Sequence, residues 1–257
     1  MILLALTHIV SPNIVACELT FLQRRRIDYH LAAQQHREYS RLLSDSGLQV
    51  IELSVNSSYP DSTFIEDTAV VFDELAIMAS MGTESRRGEI NGIEAELAKF
   101  RDTFRIESPA TLEGGDVLRV GKKVFAGITP RTNLAGIESL RKILEPFGYE
   151  VIPVQVTGCL HLKSACTSIG ERSLLANPRW LELKPLEDFR IIPVAEDEPA
   201  AANCLCMRDT LVMHTGFSKT IDRLQDFGFP VKPIDISELL KAEAGLTCKS
   251  IIFEHRV

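Results

Sequence analysis

The sequence feature that most constrains the fold is a regular spacing of five polar residues, each beside a short apolar run. These residues are Glu66, Glu113, His161, Asn203 and Cys248, and the intervals between them are 47, 48, 42 and 45 residues. Periods of about 20 to 50 residues are typical of propellers and arrays whose units bury their apolar faces against one another. The spacing predicts five similar units that bring a cysteine, a histidine and carboxylates around one central pit.

Local patterns predict the order strand, hairpin, helix, strand within a unit of about 45 residues. Strands or hairpins are expected at 48–53, 64–65 with 68–72, 76–79, 117–126, 151–154, 204–213, 231–234 and 245–253. Helices are expected from Ile90 to Phe104, from Leu134 to Leu144, through Ile221 to Phe227, and at 237–240. We therefore predict an α/β fold: a single domain over residues 1–257 that forms a five-bladed α/β propeller of ββαβ-type repeats with pseudo-fivefold symmetry.

Charge and cysteine usage limit the partners and the compartment. The net charge of −7 argues against a nucleic-acid partner, which would need clustered Lys and Arg. The N-terminal apolar segment is too short for a secretory signal or a membrane span. Six cysteines without an export signal predict reduced thiols. We expect a cytoplasmic protein with no nucleic-acid or membrane partner.

Cys248 and His161 are candidates for chemistry, each with a structural alternative. A cysteine is nucleophilic as the thiolate, which needs a cationic or hydrogen-bonding setting. Lys249 is expected to point to the opposite face of a strand, so a cationic substrate is the better source of charge. His161 could be a general base. The alternatives are a packed core thiol and a core histidine with satisfied hydrogen bonds.

Two acidic motifs predict a pocket wall. Glu113 and Asp116 flank Gly114-Gly115, where the glycines would let the backbone close on a ligand. Glu66-Asp67 interrupts an apolar run, and burying two carboxylates is costly unless a cation meets them. That cation is either an internal arginine or a guanidinium or ammonium ligand, and Asp61 could join the group.

Motifs for other site classes fail. Gly121-Lys122-Lys123 lacks the spacing of a phosphate loop, and no Gly-x-Gly-x-x-Gly follows a strand. The pairings of Cys159, His161 and Cys166, or of Cys204 and Cys206, lack the usual zinc spacing. We expect no metal site.

The motifs together resemble the guanidino-group-modifying enzymes of pentein fold. They are, in order, Glu66-Asp67, Leu112-Glu113-Gly114-Gly115-Asp116, His161-Leu162-Lys163, Ala202-Asn203 and Leu246-Thr247-Cys248. Their order and spacing, and the chain length, are most similar to the dimethylarginine dimethylaminohydrolase family, and the resemblance spans nearly the whole chain. It implies a five-bladed propeller with the active site on the central axis.

The resemblance also implies a role for each matching residue. Cys248 would be the nucleophile, His161 the general acid/base, and Glu113 the carboxylate that binds the guanidinium and orients the histidine. The remaining matches would bind substrate: Asp61, Glu66 and Asp67 as acids, Arg86 and Arg131 as a clamp for the substrate carboxylate, Leu19 as a lid residue, and Ala242 through its backbone. Glu243-Ala244-Gly245 departs from the Asp-Gly pattern expected before the terminal motif, which leaves the loop shape and the substrate size open.

The implied activity is hydrolysis at the guanidinium carbon of a small-molecule substrate. For free methylated arginine the products are citrulline and a methylamine, formed through a covalent thiouronium on the cysteine without a metal or organic cofactor. Arginine deiminases carry a helical insertion and amidinotransferases are longer, so neither fits this chain length well. A related dihydrolase stays open, as does, less favoured, a non-catalytic pentein protein that binds ribosomes. The chain could be a monomer or a homodimer.

Overall fold

Fifteen short strands form five three-stranded sheets in the computed structural model, which describes residues 2–170 and 172–255. Met1, Glu171, Arg256 and Val257 of the predicted domain lie outside the described residues. The strands are β1 Ile2–His8, β2 Gln49–Leu53, β3 Ala69–Val71, β4 Leu75–Met78, β5 Asp102–Arg105, β6 Val117–Val120, β7 Lys123–Ile128, β8 Glu150–Gln155, β9 Cys166–Ser168, β10 Ser173–Ala176, β11 Arg190–Pro193, β12 Leu205–Met207, β13 Thr210–His214, β14 Val231–Ile234 and β15 Ser250–His255.

The described residues contain six α-helices, and four of them have fewer than ten residues. A doubly wound fold would need more and longer helices to cover both faces of its sheet. The α-helices are α1 Tyr29–Asp45, α2 Glu89–Leu97, α3 Leu134–Leu144, α4 Leu162–Ala165, α5 Ser218–Asp226 and α6 Ser237–Leu240. Short 3-10 helices span Ile14–Ala16, Ile65–Thr68, Glu84–Arg86, Gly114–Asp116, Glu145–Phe147, Lys184–Leu186, Pro199–Ala202 and Thr247–Lys249.

Every sheet repeats one arrangement: an antiparallel hairpin followed by a parallel third strand. In the third unit, Val117 of β6 lies opposite Ala126 of β7, and Val124 of β7 lies opposite Val151 of β8. A parallel neighbour needs a crossover connection, which α3 supplies here. In the unit of β9, β10 and β11 the crossover carries the short helix Lys184–Leu186 instead of an α-helix.

The two ends of the chain complete one unit together. Strand β15 pairs antiparallel with β1, Phe253 opposite Leu4, and β1 pairs parallel with β2. The first sheet therefore has the same pattern as the others, assembled from distant segments. This closure joins five units into a ring and confirms the predicted five-bladed α/β propeller with pseudo-fivefold symmetry.

The hydrophobic core is divided into clusters that lie between neighbouring units. One cluster joins Leu6 of β1 and Ile251 of β15 to Met78 of β4 and Ile93 of α2. Each unit thus buries its apolar side chains against the next one, which is the driving force for ring formation. Among residues 2–170 and 172–255, no helix has the combined length and hydrophobicity that a membrane crossing requires.

Three sequence-based expectations about elements were wrong. The helix predicted to reach Phe104 ends at Leu97, and Phe104 lies in β5 because the sheet needs a parallel neighbour for β4. The strand predicted at 64–72 begins with the helical turn Ile65–Thr68. The closing strand predicted at 245–253 starts at Ser250, after the turn Thr247–Lys249, where Lys249 is buried and does not face solvent from a strand.

Candidate active site

A short helical turn precedes the first strand of each hairpin, and the five regularly spaced residues lie at these turns. Glu66 lies in Ile65–Thr68 and Cys248 in Thr247–Lys249, while Glu113 and His161 directly precede Gly114–Asp116 and α4, and Asn203 directly follows Pro199–Ala202. Neighbouring turns contact one another around the centre of the ring. The spacing in the sequence therefore corresponds to equivalent positions in the five units.

A cavity of about 20 Å³ lies at this centre. Seven of its lining residues belong to the predicted site: Asp61, Asp67, Arg86, Arg131, His161, Ala242 and Cys248. Glu66, Glu113 and Leu19 of the predicted site are not among the lining residues. A volume of this size holds roughly one water molecule, so an amino-acid substrate would need the covering segment to move.

His161 is held between two carboxylates below the cavity. Its Nε2 lies 2.7 Å from Glu113 Oε2, and its Nδ1 lies 3.7 Å from Asp67 Oδ1. Burial lowers the pKa of His161, but the charges of Asp67, Asp116 and Glu113 outweigh burial and raise that pKa to about 9. The imidazole is therefore protonated at neutral pH and can donate a proton to a leaving group.

The paired glycines allow these side chains to come together. A Cβ at Gly115 would lie 2.6 Å from His161 Nδ1 and 2.7 Å from Asp67 Oδ1, and one at Gly114 would lie 2.0 Å from the carbonyl oxygen of Glu66. Real Cβ atoms essentially never approach so closely. The backbone at these glycines thus packs against other residues of the site. The sequence analysis had predicted that it would pack against a ligand.

Internal cations meet both buried carboxylates of the Glu66-Asp67 pair. Arg86 Nη1 donates to Asp67 Oδ2 at 2.7 Å, and its Nε and Nη2 form a bidentate pair with Glu89 at 3.1 and 3.0 Å. Glu66 pairs with Lys163 and also accepts a hydrogen bond from the Thr247 hydroxyl at 2.8 Å. Because Arg86 Nη2 also donates to Phe64 O at 3.1 Å, few of its donors remain for a substrate carboxylate.

One carboxylate oxygen of the cavity wall has no partner. Asp67 Oδ1 is buried and accepts no hydrogen bond from any part of the chain that the structure describes. Burial raises the pKa of Asp67, but the charges of His161 and Arg86 outweigh it and bring the pKa below its ordinary value. An ionised, unpaired oxygen in a cavity is a ready acceptor for a cationic N–H donor.

Cys248 is buried in an acidic setting. Burial, together with the charges of Glu66 and Asp67, raises the pKa of Cys248 to about 12. The backbone N–H of Gly245 donates to its Sγ at 3.3 Å. The thiol therefore predominates without a ligand, and a cation beside it would favour the thiolate.

Asn203 holds the turn that carries Cys248. Its Nδ2 donates to Lys163 O and to Thr247 Oγ1, both at 3.0 Å, and its Oδ1 accepts from the backbone N–H of Thr247 at 3.1 Å. These bonds join the turn before β9 to the turn before β15. Asn203 thus links two turns of the site through its side-chain amide.

A segment of residues 18–22, here called the strap, covers the cavity. At its start, the backbone N–H of Glu18 donates to the carboxylate of Asp61 at 3.1 Å. At its end, the backbone N–H groups of Thr20, Phe21 and Leu22 all donate to the carboxylate of Glu243. Leu19, the predicted lid residue, lies between these two anchors and is half-buried.

Arg131 connects the strap to Glu113, the hydrogen-bond partner of His161. Its Nη1 lies 3.4 Å from Glu113 Oε1, and its Nη2 donates to Thr20 Oγ1 at 3.2 Å. Ala242 is buried beside the cavity, immediately before the strap's anchor Glu243. A ligand in the cavity would thus contact both Arg131, which is bonded to the strap, and Cys248.

Asp67, Glu113 and His161 each offer a ligand atom, and these atoms lie within 4.8 Å of one another. Two guanidinium groups already pair with the carboxylates, Arg86 with Asp67 at 2.7 Å and Arg131 with Glu113 at 3.4 Å. Placing a divalent cation next to these positive charges is unfavourable. The cluster is better suited to proton transfer and to binding a delocalised organic cation than to holding a metal ion.

Sequence reasoning missed several residues that shape the site. Glu89 follows Arg86 by three residues, a spacing that places both on one side of a helical turn. Asp116 was predicted only as part of a pocket wall. Its carboxylate accepts from the backbone N–H of Leu162 at 2.9 Å and so fixes the start of α4 after His161. Glu243 was noted only as a departure from a pattern, and no local signal shows that it anchors the strap.

Sequence comparisons find similar proteins over most of the chain. A family model for eukaryotic N,N dimethylarginine dimethylhydrolase matches residues 18–184. The N(G),N(G)-dimethylarginine dimethylaminohydrolase of Pseudomonas aeruginosa is 34% identical over 228 residues, which cover 88% of this chain and 90% of the relative. The enzyme of the same name from Streptomyces coelicolor is 35% identical over 248 residues, which cover 96% of this chain and 95% of the relative.

Solved structures show the same fold. A structure of the Pseudomonas aeruginosa enzyme, with a cysteine replaced by serine and citrulline bound, has a TM-score of 0.92 and 31% identity, and the match covers 98% of this chain and 100% of that one. A histidine-to-glycine variant of a dimethylarginine dimethylaminohydrolase, as an adduct with S-methyl-L-thiocitrulline, has a TM-score of 0.93 and 31% identity, and it covers the same shares. The N-terminal domain of ArgZ, a cyanobacterial arginine dihydrolase, has a TM-score of 0.84 at 17% identity over 97% of both chains and supports the fold alone.

Proposed function

The chain belongs to the dimethylarginine dimethylaminohydrolase family, and we propose that it hydrolyses free dimethylarginine to citrulline and dimethylamine. The protein is a hydrolase that acts on a guanidino C–N bond. The observation that carries this substrate class is the ionised, unpartnered Asp67 Oδ1 in the wall of a cavity shared with Cys248 and His161. A guanidinium is planar, cationic and rich in N–H donors, and so complements this wall.

The substrate would lie with its guanidinium against Asp67 and its amino-acid end under the strap. Arg131, which has one Nη group directed to Thr20 and the other to Glu113, is the better placed partner for the substrate carboxylate. Arg86, also assigned to this clamp, is largely engaged by Asp67 and Glu89 and would contribute mainly positive potential. Asp61 and Ala242, which line the cavity beside the strap, and Leu19, which lies within the strap, would contact the amino-acid end of the substrate.

Cys248 would act as the nucleophile once the substrate cation is bound. The guanidinium charge offsets the carboxylates that keep the thiol protonated, so Cys248 releases its proton to solvent and the thiolate forms next to its target. Attack of Sγ on the guanidinium carbon gives a tetrahedral adduct. His161, protonated at neutral pH, passes its proton to the departing dimethylamine, which leaves a thiouronium on Cys248.

His161 would then serve as the base in the second half of the reaction. Having lost its proton, the imidazole can take one from a water molecule, which attacks the thiouronium carbon. The carbon–sulfur bond breaks, and citrulline and the thiol are released. Glu113, 2.7 Å from Nε2, holds the ring in place and stabilises its charged form in both halves. Glu66 would act through its charge near Cys248, since it is paired with Lys163.

We extend the proposal to the organisation and the compartment of the protein. Residues 1–257 would form one catalytic domain, a view supported by the pairing of β15 with β1. A cytoplasmic location is supported by six cysteines that are all free thiols. The partner would be a small guanidino compound, with nucleic acid disfavoured by the net charge of −7.

A substrate panel tests the proposed function. Purified protein is incubated with arginine, monomethylarginine and dimethylarginine, and the ureido product is measured by colorimetry. We expect dimethylarginine or monomethylarginine to exceed arginine in kcat/KM, and Cys248→Ser to abolish citrulline formation. Cys206→Ser, at the exposed cysteine, is the matched control and should keep wild-type activity. Turnover by Cys248→Ser at the wild-type rate would refute the proposal, and a preference for arginine would point to a dihydrolase.

A further inference from the structure

A second, much larger cavity adjoins the candidate active site. It has a volume of about 360 Å³, and its wall includes Phe21, Leu22, Leu160, Trp180, Pro199 and Leu240. We call this cavity the apolar chamber. Leu160, Glu243 and Ala244 line both cavities, so the chamber adjoins the site at these residues.

The chamber also contacts the residues that surround the reacting groups. Gly245, whose N–H donates to Cys248 Sγ at 3.3 Å, lies in its wall. Cys159 and Ser164 are also lining residues, and they flank His161 in the sequence. The chamber therefore borders residues that neighbour Cys248 and His161.

The chamber offers little to a charged or polar ligand. Glu243 is the one charged lining residue among those described, and its carboxylate already accepts from Thr20, Phe21 and Leu22. The amide of Asn203 is occupied by Lys163 O and Thr247. The other polar side-chain groups are the Ser164 hydroxyl, the Trp180 indole N–H and the Cys159 thiol, which donates to His161 O at 3.4 Å. The rest of the lining is apolar, so the occupant that fits is an apolar one.

We propose that the apolar chamber is a subsite for an apolar substituent on the terminal guanidine nitrogen, larger than methyl. This inference rests on the proposed function and names a broader substrate class: arginines that carry an N-alkyl chain of several carbons. The guanidinium stays at Asp67 and Cys248 while the substituent passes Leu160 and Ala244 into the chamber. The products are citrulline and the corresponding alkylamine.

Gly158 fixes one wall of the subsite. A Cβ at this position would lie 2.7 Å from Cδ1 of Trp180, and the residue has a φ of +77°, a conformation that favours glycine. The indole therefore packs directly on the backbone two residues before Leu160. Trp180 thus contributes an aromatic ring to the wall of the chamber, where it can pack against an alkyl chain.

The test compares N-methyl-, N-propyl- and N-butylarginine as substrates, with both citrulline and the released amine measured. These alkylamines are similar as leaving groups, so differences in kcat/KM report on the chamber. Each fully buried methylene can contribute about a fourfold gain. Since the chamber is open on one side, we expect an overall rise of about tenfold from methyl to butyl.

A variant that fills the chamber makes the test specific. Ala200 lines the chamber and is exposed, so Ala200→Phe should fold and should lower kcat/KM for N-butylarginine at least tenfold while changing that for N-methylarginine less than about threefold. Ala135→Phe, at an exposed position of α3, is the control and should affect neither substrate. Poorer turnover of N-butyl- than N-methylarginine, or an equal loss of both in Ala200→Phe, would overturn the inference alone. Failure to hydrolyse any of the three would instead overturn the proposed function.

Discussion

At the scale of single residues, neighbouring charges set the protonation states of the two reacting groups. Carboxylates and burial keep Cys248 as a thiol, with a pKa raised to about 12, and carboxylates keep His161 protonated, with a pKa raised to about 9. His161 has the charge that it would have in a resting cysteine–histidine ion pair, but Cys248 does not, because it is a neutral thiol. Under the proposed function, a bound cation would favour the Cys248 thiolate, so the reactivity of this cysteine should depend on a cationic ligand.

Alkylation measures this protonation state directly. We expect neutral iodoacetamide to label Cys248 slowly at pH 7, with a rate that rises about tenfold per pH unit because the thiolate fraction rises. A cationic chloroacetamidine should label Cys248 before the other five cysteines, since it supplies the missing charge. Peptide mass spectrometry identifies the labelled residue, and the exposed Cys206 is the internal control. A rate at Cys248 that stays constant from pH 6 to 8 would mean that a thiolate already exists.

Lys249, next to the nucleophile, is a destabilising residue. Its Nζ is buried, has no hydrogen-bond partner among the described residues, and lies 4.3 Å from the centre of the Tyr39 ring. Burial lowers its pKa to about 7, against an ordinary value near 10.4 that the unfolded chain keeps. Between these two values the unfolded state binds more protons, so this residue's contribution to stability becomes more favourable as the pH rises.

Lys249→Met should therefore stabilise the protein at pH 7. Replacing an unpaired buried amine by an apolar side chain of similar volume should add about 1–4 kcal/mol to the free energy of unfolding. The gain should shrink as the pH rises from 7 towards 10, and urea unfolding at both ends of that range measures it. His161 has the opposite effect on stability: its stabilising contribution is complete below about pH 6.5 and is lost as the pH rises through about 9. The difference in unfolding free energy between variant and wild type removes this contribution, because both proteins contain His161. A destabilised variant would contradict this account.

At the scale of elements, the residues of the site lie at the helical turns before the hairpins, and glycine allows neighbouring turns to approach one another closely. Gly115→Ala would place a Cβ against His161 Nδ1 and Asp67 Oδ1. We expect kcat/KM to fall at least a hundredfold, because small displacements of reacting groups have large kinetic effects. Gly121→Ala is the control: its Cβ meets nothing within 4 Å, but its φ is +61°. That variant should lose about 1 kcal/mol of stability and keep its kcat. Equal activities of the two variants would show that the close approach is unimportant.

The strap is the element that substrate must displace. Glu243 has a φ of +59° and accepts from three backbone N–H groups of the strap, so it holds the strap closed. Glu243→Gln removes the charge and one acceptor oxygen, and charge-assisted hydrogen bonds of this kind contribute about 1.5–3 kcal/mol. Because the strap would also close over bound dimethylarginine, we expect its KM to rise about tenfold with little change in kcat. Backbone amides of residues 20–22 should exchange faster with deuterium. Exposed Glu187→Ala is the control. Unchanged exchange at the strap would argue against the anchor.

At the scale of the whole molecule, the repeat was predictable because each unit has a polar residue at an equivalent position, at intervals of 42 to 48 residues. Five polar residues mark the same turn in each unit, and the hairpin of Val117–Ile128, the helix Leu134–Leu144 and the strand Val231–Ile234 follow from local patterns. Phe104 was misassigned because its spacing from Phe100 fits a helix, whereas pairing with β4 decides its structure. Tertiary pairing overrides local periodicity in such cases.

The sequence predicted only those site residues whose side-chain chemistry stands out within a motif. Cys248, His161 and Asp67 were identified from acids, a histidine and a cysteine at equivalent positions. The sequence left open which cation would meet Glu66 and Asp67, and the structure gives Lys163 and Arg86. Glu243 and the apolar chamber depend on contacts between residues more than 200 positions apart, such as Glu243 with Thr20. No local pattern encodes contacts of that range.

The most direct test of the whole account is mass spectrometry of the His161→Gly variant after incubation with S-methyl-L-thiocitrulline. Methanethiol leaves without needing a proton, whereas hydrolysis of the thiouronium needs His161 as the base, so the intermediate should accumulate. We predict one substrate-derived group per chain, located on Cys248, while the wild-type protein converts the same compound to citrulline. An unmodified Cys248, or modification spread over the other cysteines, would contradict covalent catalysis at this site.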